Sequence, residues 1–139
     1  MKEINILIVD DSKTIQKILE KNINKYFKED HCTVYKALNG KECMGILSRE
    51  NIDLILLDWN MPEMNGDQVV TEIRGNSSFN NIKIIMITTE GAKKNVLSIM
   101  KKGANGYIVK PFNPESLQSG LDRVVSRMRL REYEEIIEI

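Results

Sequence analysis

Five short, mostly apolar runs recur along this chain, and each is followed by a stretch with helical periodicity. The runs are Ile4 to Val9, Thr33 to Ala37, Leu54 to Leu57, Ile84 to Ile87 and Tyr107 to Val109. Short apolar runs bounded by turn signals read as strands buried on both faces, the habit of a parallel sheet. Strict alternation of strand and helix then predicts a sheet with helices on both faces, joined by right-handed crossovers.

The intervening stretches place apolar residues at 3- and 4-residue spacing. The first helix is predicted to turn Ile15, Ile18, Leu19, Ile23, Tyr26 and Phe27 inward. The second starts at Asn39-Gly40, ends near Arg49 and buries Cys43, Met44, Ile46 and Leu47. The third follows Gly66 with Val69, Val70 and Ile73. The fourth spans Ala92 to Lys102 with Val96, Leu97, Ile99 and Met100, and Gly103 suits its C-cap. Pro114 stands at the start of the last, long helix. Lys28 to His31 and the stretch GNSSFNN after Arg74 read as polar loops.

In such a sheet every strand has its carboxyl end on one edge, where open α/β sheets bind ligands. That edge collects Asp10, Asp11, Asp58, Thr88 and Lys110. Asp58 by itself is as well explained as a strand stop or a helix cap. Beside Asp10 and Asp11 that explanation fails, because two carboxylates about 5 Å apart repel by roughly 3 kcal/mol at an effective dielectric near 20. Three together call for a cation, and hard oxygen ligands select Mg²⁺ or Mn²⁺. Three acids, a hydroxyl and an ammonium group at one edge make a phosphoryl site.

Lys plus Arg and Asp plus Glu both number 20 in 139 residues. No global field therefore points to nucleic acid or an anionic membrane. The apolar runs are too short to span a bilayer. The chain enters a strand at once, so no export signal is expected, and Cys32 and Cys43 are expected reduced in a cytoplasmic protein. His31 is the single histidine and reads as a surface residue, which removes histidine-based zinc sites and triads.

The Asp10-Asp11 pair, Asp58 in LLDWNMPEMNG, Thr88 in MITTE and Lys110-Pro111 in GYIVKPF together resemble the receiver domain of two-component response regulators. The likeness runs from Ile4 to Met128. It implies a single (βα)5, flavodoxin-like three-layer sandwich with strand order 2-1-3-4-5, and a phosphoryl group received by Asp58 from a histidine kinase. It also implies that Asp11, Asp58 and the backbone carbonyl of Asn60 ligate the metal, with Asp10 acting through a water. Lys110 would contact the phosphoryl oxygens and Thr88 would bond one of them after transfer. Thr88 and Tyr107 match the family's switch pair, Asn60 and Glu90 the positions that tune dephosphorylation, and the Lys110-Pro111 bond is expected cis. The protein is then a phosphoacceptor rather than a conventional enzyme.

DWN, Glu90, Lys93-Lys94 and GYIVKPF resemble the stand-alone chemotaxis regulators, and no DNA-binding effector domain is expected. The implied partners are a chemotaxis-type histidine kinase, a flagellar switch protein and a phosphatase. A phosphorelay shuttle, passing phosphate to a histidine phosphotransfer protein, uses the same site. A flavodoxin-type electron carrier would need a hydroxyl- and glycine-rich phosphate loop where this chain has DDSKT. A haloacid-dehalogenase-type phosphatase would want an aspartate where Asn60 stands. Residues 1–128 form the domain, and residues 129–139 extend its last helix, with Leu130, Tyr133 and Ile137 at i, i+3 and i+7. A frayed or folded-back tail on a monomer is preferred to a tail-mediated homodimer.

Overall fold

The computed structural model describes residues 3–61, 64–89 and 93–137, without the side chains of residues 93, 131, 133 and 135–137. Its elements run β1 (Glu3–Val9), α1 (Lys13–Tyr26), β2 (His31–Ala37), α2 (Gly40–Leu47), β3 (Leu54–Asp58), α3 (Gly66–Arg74), β4 (Lys83–Thr88), α4 (Lys93–Lys101), β5 (Gly106–Val109) and α5 (Pro114–Ile137). The strands form one parallel sheet in the order β2-β1-β3-β4-β5. This is the flavodoxin-like topology that the family resemblance implied.

Period-two alternation sends the strand residues to two cores. Leu7, Val9, Ile55, Leu57, Ile84 and Met86 meet α2, α3 and α4 on one face. Ile6, Ile8, Leu54, Leu56, Ile85, Ile87 and Ile108 meet α1 and α5 on the other. Both faces are covered, which is why the strand sequences are continuous apolar runs instead of alternating ones.

The helix faces depart from expectation at two residues. Ile18 is 43% exposed and Leu97 52% exposed. In α1 the inward stripe is Gln16, Leu19, Ile23 and Phe27, and Ile18 lies a full 100° off Leu19. In α4, Val96 and Ile99 are buried while Leu97 faces out. His31 and Cys32 belong to β2, paired with Glu3 and Ile4, because β1 begins early enough to extend the ladder by two pairs. His31 is nevertheless exposed. The GNSSFNN stretch holds a 3-10 turn, Ser77–Phe79, whose Phe79 packs against the core.

Caps match the local sequence. Ser12, Asn39 and Asn65 each accept a bond from a backbone N–H in the first turn that follows. Gly103 takes a φ of 122° just past α4, a conformation that favours glycine.

Both cysteines are free. Burial, with Glu72 second, pushes the Cys43 thiol up to about 12, and burial, with Asp30 second, pushes Cys32 up to about 11. Since the thiolate is the nucleophile, iodoacetamide at pH 8 is expected to modify the native protein at least about 100-fold more slowly than the urea-unfolded chain. Equal rates in the two states would contradict this burial.

Candidate phosphoacceptor site

Period-two geometry carries Asp58 into the row of Leu54 and Leu56 at the carboxyl end of β3, in register with Ile87. Asp10 follows the last residue of β1, and Lys110 follows the last of β5. The parallel topology brings all three to one edge. Asp10 and Asp58 are 1% and 2% exposed, and Asp11 is exposed at the rim. One oxygen of each of the three carboxylates lies within 4.8 Å of the others.

Lys110 Nζ reaches both buried acids, 3.2 Å from Asp58 Oδ1 and 3.5 Å from Asp10 Oδ2. Its own backbone N–H donates to Thr88 O at 2.7 Å, and its peptide bond to Pro111 is cis. The ammonium group therefore enters from β5, tied at its root to the end of β4. Asp58 Oδ1 also accepts the backbone N–H of Asn60 at 3.1 Å. Asp10 Oδ1 accepts the backbone N–H of Ser12 at 2.9 Å. Burial holds the Asp10 carboxyl above the usual carboxylate range, against the Ser12 bond; Asp58 pushes the same way as burial and Lys110 opposes it.

One ammonium offsets one of three carboxylates, which leaves a net negative pocket of oxygen atoms. The three carboxylates bring one oxygen each to a common point, and an all-oxygen donor set of that charge suits Mg²⁺. Both Asp10 oxygens already have a donor, from Ser12 and Lys110, which favours contact with an ion through water over direct ligation. The acid cluster is one that could hold a metal of this kind.

Thr88 is fully buried and is paired with Val109. Tyr107 lies two residues back on β5, opposite Met86, and is half-buried against the α2–α3–α4 core. The two side chains share a sheet face as diagonal neighbours. Asn60 Oδ1 accepts from the backbone N–H and hydroxyl of Thr89, at 3.3 and 3.2 Å, so its amide is anchored to the end of β4. Glu90 lies outside the described residues.

Two supports of the site escaped the sequence reading. Gln16 is 5% exposed, and its Nε2 donates to Asp10 O at 3.0 Å and Ala37 O at 2.8 Å, pinning the turn that carries the acids. Its position three residues before Leu19 on the inward stripe was the available signal. Gly66 is the other. A Cβ there would meet Trp59 Cα at 2.9 Å and Trp59 Cε3 at 2.7 Å, so the loop after Asp58 closes on the start of α3 only because residue 66 has no side chain.

The response regulator receiver domain matches residues 6–122. Over 121 residues the chain is 39% identical to the chemotaxis protein CheY homolog of Campylobacter jejuni, covering 86% of this chain and 91% of that one. It is 42% identical over 121 residues to the chemotaxis protein CheY1 of Helicobacter pylori, covering 86% and 95%. Its structure is similar to that of the chemotaxis response regulator CheY4 of Vibrio cholerae, with a TM-score of 0.79 at 32% identity over 88% of this chain and 99% of that one. No helix among the described residues is long and apolar enough to cross a membrane. With five strands in the order 2-1-3-4-5 and three acids and a lysine at their carboxyl edge, the chain belongs to the response regulator receiver family.

Proposed function

We propose that this protein is a phosphorylation-controlled switch, in which Asp58 accepts a phosphoryl group from a phosphohistidine on a sensor kinase. The observation that carries this reading is Lys110 Nζ, fixed within 3.5 Å of two buried carboxylates at the sheet edge. In the transfer, the N–P bond of phosphohistidine breaks and an O–P bond forms on Asp58, while imidazole leaves. Lys110 and the Asn60 N–H hold one carboxylate oxygen from two sides, which sets the carboxylate plane before a donor arrives. The same ammonium then faces the phosphoryl oxygens. Asp11, Asp58 and the Asn60 carbonyl are the residues assigned to hold Mg²⁺, with Asp10 through water. When bound, the ion neutralises charge on the transferring group.

The acylphosphate carries about −2 of charge where the carboxylate carried −1, at the end of β3. Thr88 answers it by moving its hydroxyl toward the phosphoryl group, and Tyr107, beside it on the same face, fills the space that Thr88 leaves. The output is control of a partner's binding, and likeness to chemotaxis regulators points to a flagellar switch protein. Asn60, anchored to Thr89, positions the water that ends the signal.

The test is transfer of radiolabelled phosphate from a histidine-phosphorylated chemotaxis kinase in Mg²⁺, followed by capture with and without beryllofluoride. Label that is acid-stable and base-labile, and capture of the purified flagellar switch protein by the beryllofluoride form alone, are the expected results. No labelling from either the kinase or acetyl phosphate would overturn the phosphoacceptor reading. Capture of a histidine phosphotransfer protein instead would replace the motor output with a relay.

A further inference from the structure

The last helix outruns the domain on which it packs. α5 has 24 residues, about 36 Å at 1.5 Å per residue. Its buried residues, Leu117, Leu121, Val124 and Val125, lie in the first half, and Met128 makes a final, partial contact with the core. Beyond Met128 the backbone continues as helix through Ile137. Arg129 pairs with Asp30 at 2.9 Å, just ahead of β2, so the tail leaves from the edge of the sheet opposite Asp58.

Leu130 is 57% exposed, more than any other large apolar side chain among the described residues. It follows Leu121 by nine residues, which at 100° each is half a turn, so it points directly away from the buried stripe. Arg127 and Glu134 flank it, both exposed and neither with an ion-pair partner among the described residues. They are seven residues apart, two turns along one side of the helix. In the sequence, Tyr133 and Ile137 follow Leu130 at i+3 and i+7.

We propose that this outward face of α5 docks on the same face of a second copy, antiparallel, with a two-fold axis crossing between Leu130 and Arg131. The charges select that arrangement. The midpoint of Arg127 and Glu134 is the axis itself, so each arginine meets the other copy's glutamate and the pair is made twice. A parallel pairing would instead set arginine on arginine and glutamate on glutamate. The two Leu130 side chains flank the axis and leave water together. Because the tail exits opposite the Asp58 edge, both phosphoacceptor sites stay open to a kinase.

Sedimentation velocity of the full-length chain from about 10 µM to about 1 mM reads the equilibrium. A concentration-dependent dimer is expected. Arg127→Glu and Glu134→Arg should each weaken it at least about tenfold, and the double exchange should restore it to within about threefold. Leu130→Ser should weaken it as strongly as either charge reversal. All three positions are exposed, and circular dichroism verifies that the variants fold. A monomer throughout the range, or a double exchange no tighter than the single variants, would overturn the proposal.

Discussion

Replacing Asp58 by asparagine is expected to abolish acid-stable, base-labile phosphoryl label, by at least about 100-fold, while making the folded protein more stable in metal-free buffer. Asparagine keeps the shape but offers no anionic nucleophile. It also removes one of two buried like charges that share a single ammonium group, a repulsion worth about 1–2 kcal/mol after screening by Lys110. The sign follows from Asp10, whose carboxyl is held above its ordinary range by burial first and by Asp58 in addition. An acid with a raised folded pKa contributes stability below its unfolded value and loses it as pH rises through the folded one. Removing the Asp58 charge shrinks that loss. Urea melts in EDTA should therefore show the variant's advantage growing from pH 4 to pH 7. Retained label in the variant would place the acceptor elsewhere, and a variant less stable than wild type at both pH values would refute the repulsion account.

The second large effect lies far from the site. Arg74, in the last turn of α3, donates from Nε to Gly103 O at 3.0 Å, from Nη1 to Phe79 O at 3.2 Å, and from Nη2 to Ile82 O at 2.8 Å and Asn105 Oδ1 at 3.0 Å. Asn105 Oδ1 in turn accepts the N–H of Ile84 at 2.9 Å. One guanidinium thus joins α3, the approach to β4 and the turn between α4 and β5. Four bonds at about 1 kcal/mol each, less some replacement by water, set the cost of Arg74→Ala at about 3 kcal/mol. The melting temperature should fall by about 10 °C. Arg74→Lys should recover little, because an ammonium group cannot present the planar fork that these acceptors match. A loss under 1 kcal/mol in urea melts of Arg74→Ala would show that the joint is dispensable.

The contrast between these two residues marks what could be read from the chain. Asp58 was legible because a carboxylate ending an apolar run is conspicuous, and the topology puts every strand's carboxyl end on one edge. The roles of Thr88, Tyr107 and Asn60 came from likeness to a family, not from their own chemistry. Arg74 was invisible because three of its four acceptors are backbone carbonyls, supplied by residues of any type. Helix periodicity located each helix but erred on Ile18 and Leu97, since a stripe drawn from apolar residues alone admits any hydrophobic side chain and skips Gln16. The bonds of Gln16 to two carbonyls are tertiary, and composition does not reveal them.

Lys110 and Asp10 stand 100 residues apart in the chain. While the protein is being synthesised, Asp10 and Asp58 emerge long before the ammonium group that offsets them. A chain stopped before β5 would hold two buried carboxylates face to face at the sheet edge with no counterion. The acid cluster thus gains its ammonium partner together with the completion of the sheet.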